Sequence, residues 1–94
     1  MISMTNPATG EKTRFLSRSE AKKELQISEA TFHKYMKLLV SNWSDRFQYM
    51  PRQTHWNDYQ LHCLAFVKNL FDNGLNQLEV ADYISRYKIP DPEH

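Results

Sequence analysis

The stretch that decides the fold is LSRSEAKKELQISEATFHKYMKLL, residues Leu16 to Leu39. It holds two helix starts of one kind, in which an apolar residue precedes a capping hydroxyl and a second apolar residue follows five positions after the first. These are Leu16-Ser17 with Ala21, and Ile27-Ser28 with Phe32. Glu20 stands three residues beyond Ser17 and can return a hydrogen bond to the cap amide, completing a capping box. A helix over Arg18–Leu25 that buries Ala21 and Leu25 is expected. The second start leads into Phe32, Tyr35, Met36 and Leu39 at i, i+3, i+4 and i+7, a single apolar stripe. Only Gln26 and Ile27 separate Leu25 from the second cap. Two short helices joined so tightly cannot lie antiparallel with much overlap, so the expected arrangement is a helix-turn-helix with a steep crossing.

Beyond Leu39 the helical period disappears until Thr54. Phe47 and Tyr49 alternate with Arg46, Gln48 and Met50 as in a short strand, Asn42, Ser44 and Asp45 supply turn chemistry, and Pro51 confines any strand to an edge. A small β wing is expected there. A third helix starts near Thr54 to Asn57 and runs to Asp72, with Tyr59, Cys63, Leu64, Val67, Leu70 and Phe71 on one face. Asn73-Gly74 ends it, and Leu70 and Leu75 are placed for the apolar contact of a Schellman cap with a left-handed glycine. Leu75-Asn76 with Val80, and Glu79 three residues after the cap, then open a fourth helix from Gln77 to about Tyr87. Its expected inward side is Leu78, Ala81, Ile84 and Tyr83 or Tyr87, and Pro90 stops it. The expected fold is mainly α, a winged helix-turn-helix of four helices with a small β wing over residues 14–88. Residues 1–13, with Asn-Pro and Thr-Gly and no apolar period, form a flexible arm, and 89–94 a short tail.

Composition narrows the function. With 94 residues and only Gly10 and Gly74, neither the Walker A loop nor the dinucleotide fingerprint can be written, since both need closely spaced glycines against phosphate. No Ser/His/Asp or paired-carboxylate arrangement can be argued from the spacings, and an enzyme is not expected. Cys63 is the single cysteine, which leaves no internal disulfide and no Cys-based zinc site. His33, His55, His62 and Cys63 match no compact metal-ligand spacing, and Asp58 with His62 at i, i+4 suits a helix-surface pair. No metal and no cofactor are expected. The opening residues lack the features of a signal peptide, and the run Cys63 to Val67 is far below the roughly 20 residues needed to span a bilayer, so a cytoplasmic protein without a membrane partner is expected. The net charge of +1 conceals an asymmetry: residues 11–52 carry nine basic and five acidic side chains, and residues 53–94 three basic and six acidic. The front half is basic and the back half acidic.

If Phe32 marks the buried direction of the second helix, a turn of about 100° per residue sets Ala30, Lys34, Lys37 and Ser41 on the opposite face, with His33 at its flank. Such a face suits a major groove: Lys donates to guanine acceptors, Ser and Thr pair with either base type, and Ala30 permits close approach. The helix N-terminus at Ser28 offers amides to a phosphate. Arg18, Lys22 and Lys23 on the first helix, with Arg46 and Arg52 in the wing, are candidate phosphate clamps. Arg14 in the arm could reach a minor groove. If about five phosphates are neutralised, the log-log salt slope is roughly −4 to −5. An imidazole titrates across physiological pH and phosphates favour its charged form, so His33 should make binding tighter at pH 6 than at pH 8. Trp43, Phe47 and Tyr49 suit packing of the wing more than stacking on single-stranded bases.

From Phe15 to Tyr87 the chain resembles the DNA-binding domain of the MerR family. Ser28-Glu29-Ala30-Thr31-Phe32-His33-Lys34-Tyr35 resembles that family's recognition helix, with its Ser cap, Thr and aromatics. Arg52-Gln53-Thr54-His55-Trp56-Asn57-Asp58-Tyr59 resembles the family's passage from wing into third helix, and Leu64 to Leu75 the helix with its glycine stop. His33 stands where the family usually has Arg, and Gln26 where it often has Gly. The resemblance implies a sequence-specific double-stranded DNA-binding transcriptional regulator, with recognition helix 28–39 in the major groove and the wing on phosphates. It is similar to the small stand-alone members and to winged-helix excisionases, without a sensing domain. The implied DNA-binding residues are Arg18, Lys22, Ser28, Ala30, Thr31, His33, Lys34, Lys37, Arg46 and Arg52. Because one module covers roughly 600–1,000 Å², self-association or cooperative binding on repeated sites is expected. Two alternatives stand beside this: an excisionase-like DNA-bending architectural factor, and a protein-interaction adaptor that docks a partner through its aromatic wing or acidic helices.

Overall fold

Two three-residue strands tie the start of the fold to its middle. In the computed structural model, which describes residues 15–91, the order is β1 (Phe15–Ser17), α1 (Arg18–Leu25), α2 (Glu29–Asn42), α3 (Ser44–Phe47), β2 (His55–Asn57), α4 (Asp58–Asp72) and α5 (Gln77–Tyr87). The arm 1–13, Arg14 and the last three residues lie outside the described part. β1 and β2 pair antiparallel in the register Phe15 with Asn57, Leu16 with Trp56 and Ser17 with His55. Each strand ends on the cap of the next helix. Ser17 and Glu20 form the capping box of α1, Asn57 and Gln60 that of α4, and Asn76 and Glu79 that of α5.

The fold is therefore mainly helical with one small antiparallel sheet among the described residues. Two details depart from the sequence-based expectation. The strand expected over Arg46–Met50 is instead the helical turn α3 and the loop after it, which makes five helices rather than four. The backbone bonds show why: Phe47 N–H bonds Trp43 O and Gln48 N–H bonds Ser44 O, closing a helical turn that sets both Trp43 and Phe47 in the core, and Gln48 ends it in the left-handed conformation at φ 54°. Leu78, expected inward, is 83% exposed. Val80 and Ile84, both fully buried, set the inward direction, and at 100° per residue Leu78 falls about 160° from Val80.

α2, α4 and α5 enclose the core, and α1, α3 and β2 also pack on α4. The rings of Phe32 and Trp56 meet edge to face at 5.3 Å, and Tyr35 stacks on Phe71 at 5.3 Å. Both indole N–H groups are satisfied. Trp56 donates to Met36 Sδ at 3.3 Å and Trp43 to the Tyr59 hydroxyl at 2.9 Å. The expected Schellman cap is present, with Leu75 N–H on Leu70 O, Gly74 N–H on Phe71 O, and Gly74 at φ 96°. Ile89, past the end of α5, is buried and completes the core.

Candidate nucleic-acid interface

The turn between α1 and α2 is closed by the backbone. Gln26 takes the left-handed conformation at φ 58°, its N–H bonds Lys23 O, and the next N–H, of Ile27, bonds Lys22 O. This is a Schellman closure with glutamine in the place that glycine fills most cheaply. Ser28 then caps α2, its Oγ accepting from Thr31 N–H at 3.2 Å and donating to Thr31 Oγ1 at 3.0 Å. The apolar side of α2 packs on α4 and α5, which leaves its other side open.

On that open side lie Ala30, His33, Lys37 and Ser41, all exposed, with Val40 beside them. Lys34, expected in the middle of this face, is half-buried. Its ammonium lies 4.5 Å from the centre of the Phe71 ring on α4, so it is drawn to the flank. Lys37 has no carboxylate partner among the described residues.

At the N-terminal end of α2, Arg18 and Lys22 converge on Glu29. Arg18 Nε donates to both carboxylate oxygens at 3.0 Å, its Nη2 donates to Oε2, and Lys22 Nζ donates to Oε1 at 2.8 Å. These hydrogen bonds hold the Glu29 carboxyl down to about 2, the Arg18 bond contributing most. The Arg18 guanidinium also lies 4.8 Å from the centre of the Phe32 ring. Sequence reasoning missed Glu29. No signal within a single helix could have found it, because the cluster bridges a turn between two helices.

Arg46 stands apart from this group. It follows the C-terminal end of α2, a helix of 14 residues and hence about 21 Å long. Its Nη2 donates to Asp91 Oδ1 at 3.0 Å, and with Lys88 it flanks the Trp43 ring in an open groove bordered by Ile89 and Pro90. Arg52 is exposed at φ 71° in the loop joining α3 to β2. That loop is organised by two glutamines. Buried Gln60 on α4 donates to Phe47 O at 3.2 Å and accepts from Asn57 N–H at 3.1 Å. Its side-chain amide also exchanges hydrogen bonds with that of Gln53, which binds Met50 N–H and His55 O. Tyr49, in the same loop, is half-buried against the core.

Burial pushes the Cys63 thiol up to about 12, which removes it as a nucleophile near neutral pH. His62 Nε2 donates to Pro90 O at 2.6 Å. No group of three His, Cys, Asp or Glu side chains among the described residues could hold a metal, and no described helix is long and apolar enough to cross a membrane. Compared with protein-family models, curated proteins and solved structures, the chain matches none.

Proposed function

We propose that this chain is a sequence-specific double-stranded DNA-binding module of the winged helix-turn-helix kind, similar to the MerR domains, that acts in transcriptional regulation. The observation that carries it is the open side of α2. A helix entered through a three-residue turn from α1, packed on α4 and α5 by one side, presents small and donor side chains at Ala30, His33, Lys37 and Ser41 on the other. A helix so mounted can enter the major groove, about 12 Å wide, while neighbouring cations meet the backbone. The wing's part falls to the loop after α3, where the Gln53–Gln60 pair holds the backbone that carries Arg52. Lys34 and Arg46 leave the set of contacts, the first to packing on Phe71 and the second to Asp91.

The test is selection of bound duplexes from a random pool, followed by titration of the selected duplex across salt. Replacing Lys37 or Arg52 by Ala should flatten the log-log salt slope by about 0.9 each, whereas Arg46→Ala should leave it unchanged. If no duplex is bound even at low salt, the assignment fails. The adaptor alternative then gains, because α5 exposes Leu78 and Tyr87 at 83% and 68%.

A further inference from the structure

The cations nearest the start of α2 are already spoken for. Arg18 and Lys22 both point their charge at Glu29, the first residue of α2, and all three side chains remain open to solvent, at 39%, 25% and 57% exposure. A duplex approaching this corner therefore meets a carboxylate with two donors folded onto it. In a protein that binds DNA, uncommitted arginine and lysine at such a place would add phosphate contacts whatever the base sequence.

Resting on the DNA-binding assignment above, we propose that Glu29 is a specificity-determining residue: it withholds Arg18 and Lys22 from the phosphate backbone, so that affinity rests on the open face of α2. Three observations support this. The engagement is multidentate, with Arg18 gripping both oxygens and Lys22 one, which is stronger and better ordered than a single-contact surface pair. The Arg18 guanidinium is further held over the Phe32 ring, so its position is set by the core. Finally, Glu29 sits at the N-terminus of α2, where the helix dipole favours a negative side chain and where an incoming phosphate would otherwise sit. An unmasked pair would grip phosphates in any orientation, including those with α2 outside the groove. Glu29 therefore weakens binding to unrelated DNA the most.

Removing Glu29 should raise the number of phosphate-neutralising cations from about three (Lys23, Lys37 and Arg52) to about five, which steepens the salt slope from roughly −3 to between −4 and −5. Full-length wild type and Glu29→Gln would be titrated by fluorescence anisotropy against a duplex selected from a random pool and an unrelated duplex, at 50 to 200 mM salt. Glu29→Gln is expected to lose roughly tenfold more affinity than wild type across that fourfold salt range, to bind the unrelated duplex more tightly at 50 mM, and to show a smaller selected-to-unrelated ratio. Adding Arg18→Gln and Lys22→Gln to the variant should return the slope to the wild-type value. Glu29→Ala repeats the measurement without a side-chain amide, and circular dichroism melts show that each variant is folded. Equal slopes for wild type and both Glu29 variants would overturn the proposal while leaving DNA binding intact. So would a loss confined to the selected duplex, which would make Glu29 a direct reader of a base such as cytosine. Wild type that binds neither duplex at 50 mM refutes the DNA-binding assignment, and this proposal with it.

Discussion

The two ends of α2 are held by opposite physics. At the N-terminal end the contacts are charged, exposed and local to a turn: Ser28 on Thr31, and Arg18 and Lys22 on Glu29. At the C-terminal end they are apolar, buried and long-range: Trp43 and Phe47 enter the core, Trp43 binds Tyr59, and Ile89 returns from beyond α5 to cover them. Exposed ion pairs contribute little to stability and respond to salt, whereas burial of aromatic side chains dominates a small core. The charged end can therefore rearrange at little cost to the fold, and the buried end anchors the helix.

The largest effect that would sharpen this contrast is Phe47→Ala. With 1% of Phe47 exposed, the loss of transfer energy and the cavity left behind should cost about 3–5 kcal/mol, read as a lower urea midpoint. Glu29→Ala at the opposite end should leave the midpoint nearly unchanged. Equal losses at both ends would break the contrast.

Next in size is Gln60→Ala, expected to cost about 1–3 kcal/mol because it strands the Phe47 carbonyl and the Asn57 amide in a place water cannot easily reach. The loop carrying Arg52 should then open to protease before the rest of the fold. Cleavage between residues 48 and 54 at protease levels that spare the wild type is the measurement. A variant that unfolds globally but shows no earlier loop cleavage would mean that Gln60 supports the core and not the loop.

Much of the helical frame was legible because its signals are local. The boxes at Ser17/Glu20 and Asn76/Glu79, the stripe from Phe32 to Leu39 and the Gly74 stop each lie within a few residues and depend on one helical period. The sheet was not legible: three-residue strands are too short to show alternation, and their partners lie about forty residues away in sequence. For the site, rotation at 100° per residue found Ala30, His33, Lys37 and Ser41. It failed for Lys34, whose long stem lets the ammonium fold back over a ring of another helix. Arg46, expected in the wing, pairs with Asp91 beyond the end of α5, a contact that no local pattern signals.

A smaller change tests the turn that delivers α2. Gln26 adopts φ 58°, a conformation that costs a side chain with a Cβ about 1 kcal/mol or slightly more. Gln26→Gly should therefore stabilise the protein by about 0.5–1 kcal/mol, seen as a higher melting temperature. Because the turn's hydrogen bonds are made by the backbone, α2 should keep its position and DNA affinity should not change. A fall in stability would mean that the Gln26 side chain contributes more than its strained backbone costs.

The smallest effect is the pH response of the charged end, and its sign follows from the Glu29 carboxyl. Arg18 and Lys22 hold it at about 2, below its ordinary value of 4.5, so the folded state binds fewer protons than the unfolded state between those limits. The stabilisation it supplies is complete above about pH 4.5 and is lost as the pH falls through about 2. The stability difference between wild type and Glu29→Gln should therefore shrink steadily from pH 5 to pH 2 and shrink also in 1 M salt. The buried end supplies the control. Trp43 donates to a neutral Tyr59 hydroxyl whose ionisation burial pushes upward, far from this range. Tyr59→Phe should accordingly cost the same at pH 5 and pH 3 and be indifferent to salt. A Tyr59→Phe cost that tracked pH and salt as Glu29→Gln does would mean that electrostatics holds both ends of α2.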